Sequence, residues 1–117
     1  MAKKPEYNYK SLQTEYGKMP PQAVDLEEAI LGSLMLEKDA FITVSDFLKP
    51  ECFYKEAHQK IYRGIQNLSL NNEPVDILTV SEEMKRLGEL EEIGGYYYLA
   101  QLTSKVASAA HIEFHAR

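Results

Sequence analysis

Two histidines near the end of the chain have the spacing that many zinc enzymes use. His111 and His115 are four residues apart, so both imidazoles would project from one side of a helix, as the zinc ligands of H-E-x-x-H proteases do. The catalytic glutamate of those enzymes has no equivalent, because Glu113 lies about 200° round the helix from His111. Further ligands would have to come from Cys52 or His58, far away in the sequence. The pattern therefore favours two ordinary histidines on a surface or interface over a metal site.

The glycines do not form a phosphate-binding loop. Such a loop has the pattern G-x-x-x-x-G-K-S/T, because its freed backbone N–H groups and its lysine bind the phosphates of a nucleotide. Gly17-Lys18 is followed by Met19 and has no glycine five residues ahead of it. The G-x-G-x-x-G pattern of dinucleotide-binding folds is absent as well. We therefore expect no catalytic, cofactor-binding or metal-binding residue in this chain.

Adjacent glutamates, which could supply an acid and a base, occur at three places: Glu27-Glu28, Glu82-Glu83 and Glu91-Glu92. Neighbouring residues on a helix point about 100° apart, so the two carboxyl groups of a pair are badly placed to act on the same bond. We interpret all three pairs as solvated helix faces. No enzyme activity is expected of this chain.

The composition is that of one globular domain in the cytoplasm. The chain has 117 residues, of which 44% are hydrophobic and 26% charged, close to the average for soluble proteins. No apolar run approaches the roughly 18 residues of a membrane-spanning helix, and no signal peptide follows Met1. The single cysteine, Cys52, stands beside Phe53, where a buried structural thiol is expected. We predict a cytoplasmic protein that does not bind membranes.

The charge distribution argues against nucleic acid as the main partner of the domain. Thirteen Lys and Arg residues stand against 18 Asp and Glu residues, and the net charge of −5 opposes attraction to phosphates. Residues 1–19 differ, because lysines alternate there with tyrosines and no apolar period is sustained. We predict a flexible polar tail for this segment. A weak arm for single-stranded nucleic acid is the alternative, since tyrosines stack on bases and lysines meet phosphates.

Apolar residues at helical spacing predict helices throughout residues 20–117. Pro20-Pro21 precedes the first helix, and Gly88 is placed to close the fourth in the left-handed conformation. Asp76 is placed to cap the start of the fourth helix, and a capping box of Thr79 and Glu82 is the alternative, about one turn later. The predicted helices cover about residues 22–36, 39–48, 54–68, 77–87 and 98–106, with a further amphipathic start at 108–117. The expected fold is all-α, a compact bundle of six or seven short helices in a single domain.

Three consecutive tyrosines, Tyr96, Tyr97 and Tyr98, follow the break at Gly94-Gly95. They cannot share one helix face, so we expect one or two of them to pack inward and another to be available to a partner, as tyrosine is favoured at interfaces. The amphipathic end of the chain adds His111 and Phe114. We take four of these side chains as candidate interface residues: Tyr96, Tyr97, His111 and Phe114.

A small helix-turn-helix regulator of DNA is the alternative function for a helical domain of this size. Its helix pair would be residues 54–70 and 77–87. The second helix carries Glu82 and Glu83 against Lys85 and Arg86, whereas a recognition helix usually offers arginines, lysines or amides to base edges. The charge pattern therefore disfavours this alternative.

Five short blocks follow one another between Pro21 and Arg117. They are an acidic, leucine-rich opening helix, an L-x-P-x-x-F-Y-x-x-x-H block, a P-V-D-x-x-T-V turn and helix, an E-x-G-G break and a final S-A-A-H-I-E stretch. Their positions are residues 21–36, 48–58, 74–80, 92–95 and 108–113. In order and spacing they resemble the amino-terminal domain of DnaB-family replicative DNA helicases. Ala107 departs from the likeness, because the family often has proline there, and residues 1–19 show no family pattern.

The resemblance implies a non-catalytic domain of a larger ATP-dependent DNA helicase. In that family a helical hairpin, a linker and a RecA-like ATPase domain follow, so we expect the chain to be cut before them. ATP, Mg²⁺ and single-stranded DNA would be bound mainly by the missing ATPase domain. The family also implies a hexameric ring in which this domain pairs with copies of itself in a collar, docks the primase and is a candidate site for a helicase loader.

Overall fold

The computed structural model describes the backbone of residues 21–116 and the side chains of residues 23–109. Within these residues the chain is helical and contains no strand. The α-helices are α1 (Pro21–Leu36), α2 (Ala40–Val44), α3 (Glu56–Leu70), α4 (Ile77–Arg86) and α5 (Gly95–Ala116), and a 3₁₀ helix (Pro50–Cys52) precedes α3. The prediction of an all-α single domain is confirmed, whereas the tail predicted for residues 1–19 lies outside the described residues.

The described part of the chain has five α-helices rather than six or seven, because the last two predicted helices are one. α5 continues without interruption from Gly95 to Ala116. No glycine or proline occurs after Gly95 within α5, and Ala107 is the best helix-forming residue at the position where a break was expected. α2 is also shorter than predicted and ends at Val44 rather than Leu48.

The core lies between α1, α3, α4 and α5 and is closed by the segment that joins α2 to α3. Each of these helices contributes apolar side chains from one face, as expected for amphipathic helices around one core. The buried apolar residues are Leu31, Leu34, Met35, Phe53, Ile61, Tyr62, Ile65, Leu68, Val80, Met84, Ile93, Leu99 and Leu102.

Tyr62 ties α3 to the segment that follows α2. Its buried ring packs against Phe53 and Phe41, with ring centroids 5.2 and 5.6 Å away, and its hydroxyl donates to the Leu48 carbonyl oxygen at 2.6 Å. Burial raises the pKa of Tyr62 to about 12. The hydroxyl therefore keeps its proton and remains a hydrogen-bond donor near neutral pH.

Both ends of α4 form as predicted. At the start, the Asp76 carboxylate accepts from the Thr79 N–H at 2.8 Å, while the Asp76 N–H donates to the Thr79 hydroxyl oxygen at 3.0 Å. At the end, Gly88 has a φ of 75°, and the N–H of Glu89 donates to the Met84 carbonyl oxygen at 2.9 Å. These caps set the direction in which the chain leaves α4 towards α5.

α1 and α5 form the most extensive helix pair in the described domain. Gly32 lies on the face of α1 that meets α5. A Cβ atom at this position would overlap the Leu102 carbonyl oxygen and come within 2.7 Å of the Val106 Cγ2 atom. The close approach of the two helices therefore depends on the missing side chain at Gly32.

Candidate functional site

The first turns of α5 present two of the four predicted interface residues to solvent. Tyr96 is 52% exposed and Tyr97 is 73% exposed, whereas Tyr98 turns towards the core. The prediction that consecutive tyrosines divide between surface and interior is therefore confirmed. The side chains of His111 and Phe114 lie outside the described residues, and the interface role of all four stays a prediction.

Behind this surface, Glu27 of α1 holds the start of α3. Its Oε2 atom accepts from the Tyr54 N–H at 2.6 Å, and its Oε1 atom accepts from the Lys55 N–H at 3.5 Å. The same Oε1 atom lies 2.7 Å from Nδ1 of His58, whose ring is fully buried. The first N–H groups of a helix have no partner within the helix, so a buried carboxylate from another helix satisfies part of that need.

His58 and Tyr98 extend these contacts to α5. Nε2 of His58 lies 2.7 Å from the Tyr98 hydroxyl oxygen, and the two rings are nearly parallel with centroids 6.0 Å apart. The Tyr98 hydroxyl also donates to Glu28 Oε2 at 3.3 Å, and Lys105 Nζ forms an ion pair with Glu28 Oε1. One chain of polar contacts, here called the Glu27–Lys105 network, therefore joins α1, α3 and α5.

The electrostatics of this network favour a charged Glu28 carboxylate and a neutral Tyr98. Burial raises the pKa of Glu28, but the Lys105 ammonium and the Tyr98 hydroxyl outweigh burial, and the pKa lies below its ordinary value. The hydrogen bond to Glu28 raises the pKa of Lys105. Burial, together with the Glu28 carboxylate, raises the pKa of Tyr98 well above its ordinary value. The Tyr98 hydroxyl therefore keeps its proton and remains a hydrogen-bond donor throughout the physiological range.

A second polar contact joins α3 to α4 through Glu83. Its carboxylate accepts from Arg86 Nε at 3.0 Å and Nη2 at 2.7 Å, and from Asn67 Nδ2 at 3.1 Å. Glu83 is only 9% exposed. The hydrogen bond from Arg86 lowers the pKa of Glu83, with a further contribution from Asn67.

The interpretation of the glutamate pairs as solvated faces is therefore wrong for Glu27 and Glu83. It holds for Glu82, Glu91 and Glu92, which are exposed, and Glu28 is half-buried. The reason is tertiary. Glu27 accepts hydrogen bonds from residues 54–58, about thirty positions further along the chain, and sequence spacing on one helix contains no information about these contacts.

Acidification is expected to weaken the Glu83 contact. Since the pKa of folded Glu83 is below that of the unfolded chain, its contribution to stability is present above the unfolded value and is lost as the pH falls through the folded value. Glu83→Gln should lower the free energy of unfolding at neutral pH by less than about 1 kcal/mol, because its charged partner Arg86 is exposed to solvent. Urea unfolding at neutral pH and near pH ~3 measures this, and the difference from wild type should shrink in acid. Glu82→Gln is the exposed control, and a Glu83→Gln difference independent of pH would contradict the expectation.

The described residues contain no group of three or more His, Cys, Asp and Glu side chains placed to hold a metal ion. Cys52 is half-buried rather than buried, and its sulfur accepts from the Lys49 N–H at 3.5 Å. Both ring nitrogens of His58 lie against Glu27 and Tyr98 rather than against Cys52. Between residues 21 and 116, no helix has the length and apolar character that crossing a membrane requires.

Comparison with known proteins agrees with this architecture. The family model of the DnaB-like helicase N terminal domain matches residues 19–117. The chain belongs to this family. The crystal structure of the N-terminal domain of DnaB helicase from Mycobacterium tuberculosis is 43% identical, with a TM-score of 0.69 over 74% of this chain and 60% of that chain.

Full-length relatives of this DnaB-like domain are much longer. The replicative DNA helicase DnaB of Rhodothermus marinus is 49% identical over 107 residues, and that of Geobacillus stearothermophilus is 42% identical over 100 residues. These alignments cover 92% and 86% of this chain but only 11% and 22% of the relatives. The chain therefore spans about a tenth to a quarter of the length of these relatives.

In this DnaB-like domain, the polar network is the feature that sequence reasoning missed. From the sequence, His58 stands out only as a distant candidate metal ligand, and Glu27 only as a solvated carboxylate. One signal was available, because His58 ends the L-x-P-x-x-F-Y-x-x-x-H block. A histidine at a set distance from the buried Phe53 indicates a structural position, and the fold places it between Glu27 and Tyr98.

Proposed function

We propose that this chain is the non-catalytic amino-terminal domain of a replicative DNA helicase, and that it assembles the helicase ring and docks the primase. The observation that carries the proposal is the family match over residues 19–117, supported by relatives named as replicative DNA helicases. The family assignment favours this function over a helix-turn-helix regulator. The net charge of −5 also favours proteins over nucleic acid as partners of this domain.

The catalytic work of the whole protein is proposed to reside elsewhere. An ATPase domain outside this chain would bind ATP and Mg²⁺, contact single-stranded DNA and unwind the duplex in the cytoplasm. The helical domain would pair with copies of itself in a collar and present a surface to the primase and to a helicase loader. The proposed role of this domain is therefore assembly of the helicase and partner binding, while the ATPase domain supplies the energy for unwinding.

The exposed tyrosines of α5 are the proposed anchors of this surface. Tyr96 and Tyr97 are consecutive exposed residues in the first turns of α5. Tyrosine is enriched among the residues that dominate binding energy, because it buries a large ring and keeps a polar tip. The Glu27–Lys105 network fixes Tyr98 next to them, so this part of α5 is held in one orientation before a partner arrives.

Light scattering and titration calorimetry test the proposal, with the chain alone and mixed with the carboxy-terminal domain of the primase from the same organism. We expect a stable complex, and a loss of roughly 30-fold in affinity for the double variant Tyr96→Ala/Tyr97→Ala, the size expected when a binding hot spot is removed. Phe47→Ala is the matched control, since Phe47 is an exposed aromatic residue outside α5. Its complex should match wild type.

Two outcomes of these binding experiments would contradict parts of the proposal. A chain that neither pairs with itself nor binds primase would contradict the proposed role of this domain and leave the family assignment standing. Equal losses in the tyrosine and Phe47 variants would contradict the placement of the interface on α5.

A further inference from the structure

An open groove lies between the turn from α1 into α2 and the turn from α3 into α4. It has a volume of about 520 Å³, and apolar side chains from both turns line it, among them Met35, Phe41 and Val75. Leu36 and Ile42, which also line the groove, are 49% and 66% exposed. The groove therefore offers apolar surface to a segment that lies across it.

This groove, here called the acidic groove, also carries an excess of negative charge. Its charged lining residues are Glu37, Lys38, Asp39, Glu73 and Asp76. The Asp76 carboxylate caps α4, whereas the other three carboxylates have neither an ion pair nor a hydrogen bond among the described residues. Glu73 acts on Arg86 only at a distance, because the Arg86 guanidinium pairs with Glu83. The acidic groove is therefore suited to a segment with positive charges.

The first 20 residues of the chain have the complementary charge. They contain four lysines and two glutamates and carry +2, so residues 21–117 carry −7 of the net charge of −5. Three of these lysines and two tyrosines stand together in residues 3–10, whose sequence is K-K-P-E-Y-N-Y-K. Lysines pair with carboxylates, and tyrosine rings cover apolar surface. Residues 3–10 therefore match both the charge and the apolar lining of the acidic groove.

The length of the chain allows this contact for residues 3–10 but not for Lys18. α1 has 16 residues and is about 24 Å long, and the acidic groove lies at its end, where Leu36 lines it. Lys10 is eleven residues ahead of Pro21, and an extended chain of that length spans up to about 36 Å. Lys18 is three residues ahead of Pro21 and reaches about 10 Å, which is less than the length of α1.

Two other grooves on the described surface fit a basic segment less well. The groove at the start of α5 contains Glu28 and Lys105, which already pair with each other. The groove between α1 and α2 has Glu37 as its single charged lining residue. Among these surfaces, the acidic groove is the one that combines several carboxylates with exposed apolar side chains.

We propose that residues 3–10 bind the acidic groove of their own chain, with the lysines at its carboxylates and the tyrosines on Phe41 and Val75. Exposed ion pairs are individually weak. Residues 11–20 form a short linker, however, and a short linker gives an effective concentration in the millimolar range, at which a weak contact is populated. The contact withholds the basic segment from nucleic-acid phosphates, and a partner that uses the groove must displace it. This inference does not depend on the proposed function.

Paramagnetic NMR on the whole chain tests the proposal. A spin label is attached through Asn8→Cys in a Cys52→Ala background, so that the chain has one labelled position. The amide signals of residues 37–42 and 72–76 should lose intensity while the label is paramagnetic and recover when it is reduced. Full intensity at these residues in both states would overturn the proposal, and the amide spectrum with the reduced label checks that the chain is folded.

Variants of the groove separate specific binding from chance proximity of the label. The groove variant replaces the three carboxylates without a partner, and Asn suits the left-handed conformation of Asp39. The control replaces three exposed carboxylates outside the groove. The two triple variants are Glu37→Gln/Asp39→Asn/Glu73→Gln and Glu51→Gln/Glu82→Gln/Glu91→Gln. The loss of intensity should disappear in the first and remain in the second, and equal effects of the two would overturn the assignment to this groove.

Variants of the segment give the same test from the other side. Lys3→Gln/Lys4→Gln/Lys10→Gln should abolish the loss of intensity, whereas Lys18→Gln should retain it. In 1 M salt, where charges are screened over about 3 Å, the loss should also weaken. A loss that persists in the triple variant would overturn the role of the lysines.

A mixing experiment distinguishes the same chain from a second copy. Spin-labelled chain without isotopes is mixed with isotope-labelled chain that carries no spin label. The amide signals of residues 37–42 and 72–76 should then keep their intensity. A loss of intensity in the mixture as large as in the singly labelled chain would overturn binding within one chain, because the segment would then occupy the groove of another copy.

Discussion

Glu27→Ala is expected to lower the free energy of unfolding by about 3 kcal/mol, because it leaves more than one buried polar group without its hydrogen-bond partner. The variant removes the acceptor for the Tyr54 N–H and the partner of His58 Nδ1 in one step. His58 is fully buried, so water does not readily replace the lost carboxylate. The start of α3 and the start of α5 should both loosen.

Urea unfolding followed by circular dichroism measures this loss. Glu82→Ala is the control, because Glu82 is an exposed helical glutamate, and its effect should stay within about 0.5 kcal/mol of wild type. Glu27→Gln should fall between the two, since the amide keeps the shape and one acceptor oxygen but loses the charge. If Glu27→Ala unfolds at the same urea concentration as Glu82→Ala, the network does not contribute to stability and the account given for it is wrong.

Gly32→Ala is expected to destabilise the domain by about 2 kcal/mol, a typical cost of overpacking. A methyl group there meets the backbone carbonyl of Leu102 and the side chain of Val106, and a backbone atom cannot move away without shifting α5. Alanine improves helix propensity by about 1 kcal/mol over glycine. The steric cost should exceed that gain. The sign of the stability change therefore shows whether the contact between α1 and α5 or the helix propensity of residue 32 has the larger effect.

Gly64→Ala is the matched control within α3. Its new methyl group would lie 2.8 Å from Met84 Sδ, which belongs to a buried but flexible side chain that can shift more easily than a backbone carbonyl, and 3.7 Å from Glu83 Cγ. We expect thermal unfolding to show a lower midpoint for Gly32→Ala and little change or a small rise for Gly64→Ala. A rise of the midpoint in Gly32→Ala would mean that α1 and α5 are not held as closely as the structure has them.

The Glu27–Lys105 network and the proposed interface meet at α5. Tyr98 belongs to the network, and its neighbours Tyr96 and Tyr97 face solvent. A partner that binds the exposed rings therefore binds a segment whose position depends on His58, Glu27 and Glu28.

Local interactions in the sequence were sufficient to predict most of the helices. The start and end of α4 follow from Asp76, Thr79 and Gly88, since a cap is formed by residues three or four positions apart and needs no distant partner. The long apolar stripe of α3 is likewise visible in one stretch of sequence. The ordered blocks between Pro21 and Arg117 then pointed to the correct family, which the match over residues 19–117 confirms.

The tertiary structure alone decided which polar residues are buried and how closely the helices pack. The helical spacing predicts that Glu27 is solvated, yet its carboxylate contacts the start of α3. The sequence likewise gives no reason for a glycine at position 32, which the contact with Leu102 explains. The sequence does not show the role of His58, because its partner Tyr98 lies 40 residues later in the chain. Helix periodicity reports which face is buried but not what it meets, because partners far apart in the chain come together only when α1, α3 and α5 pack.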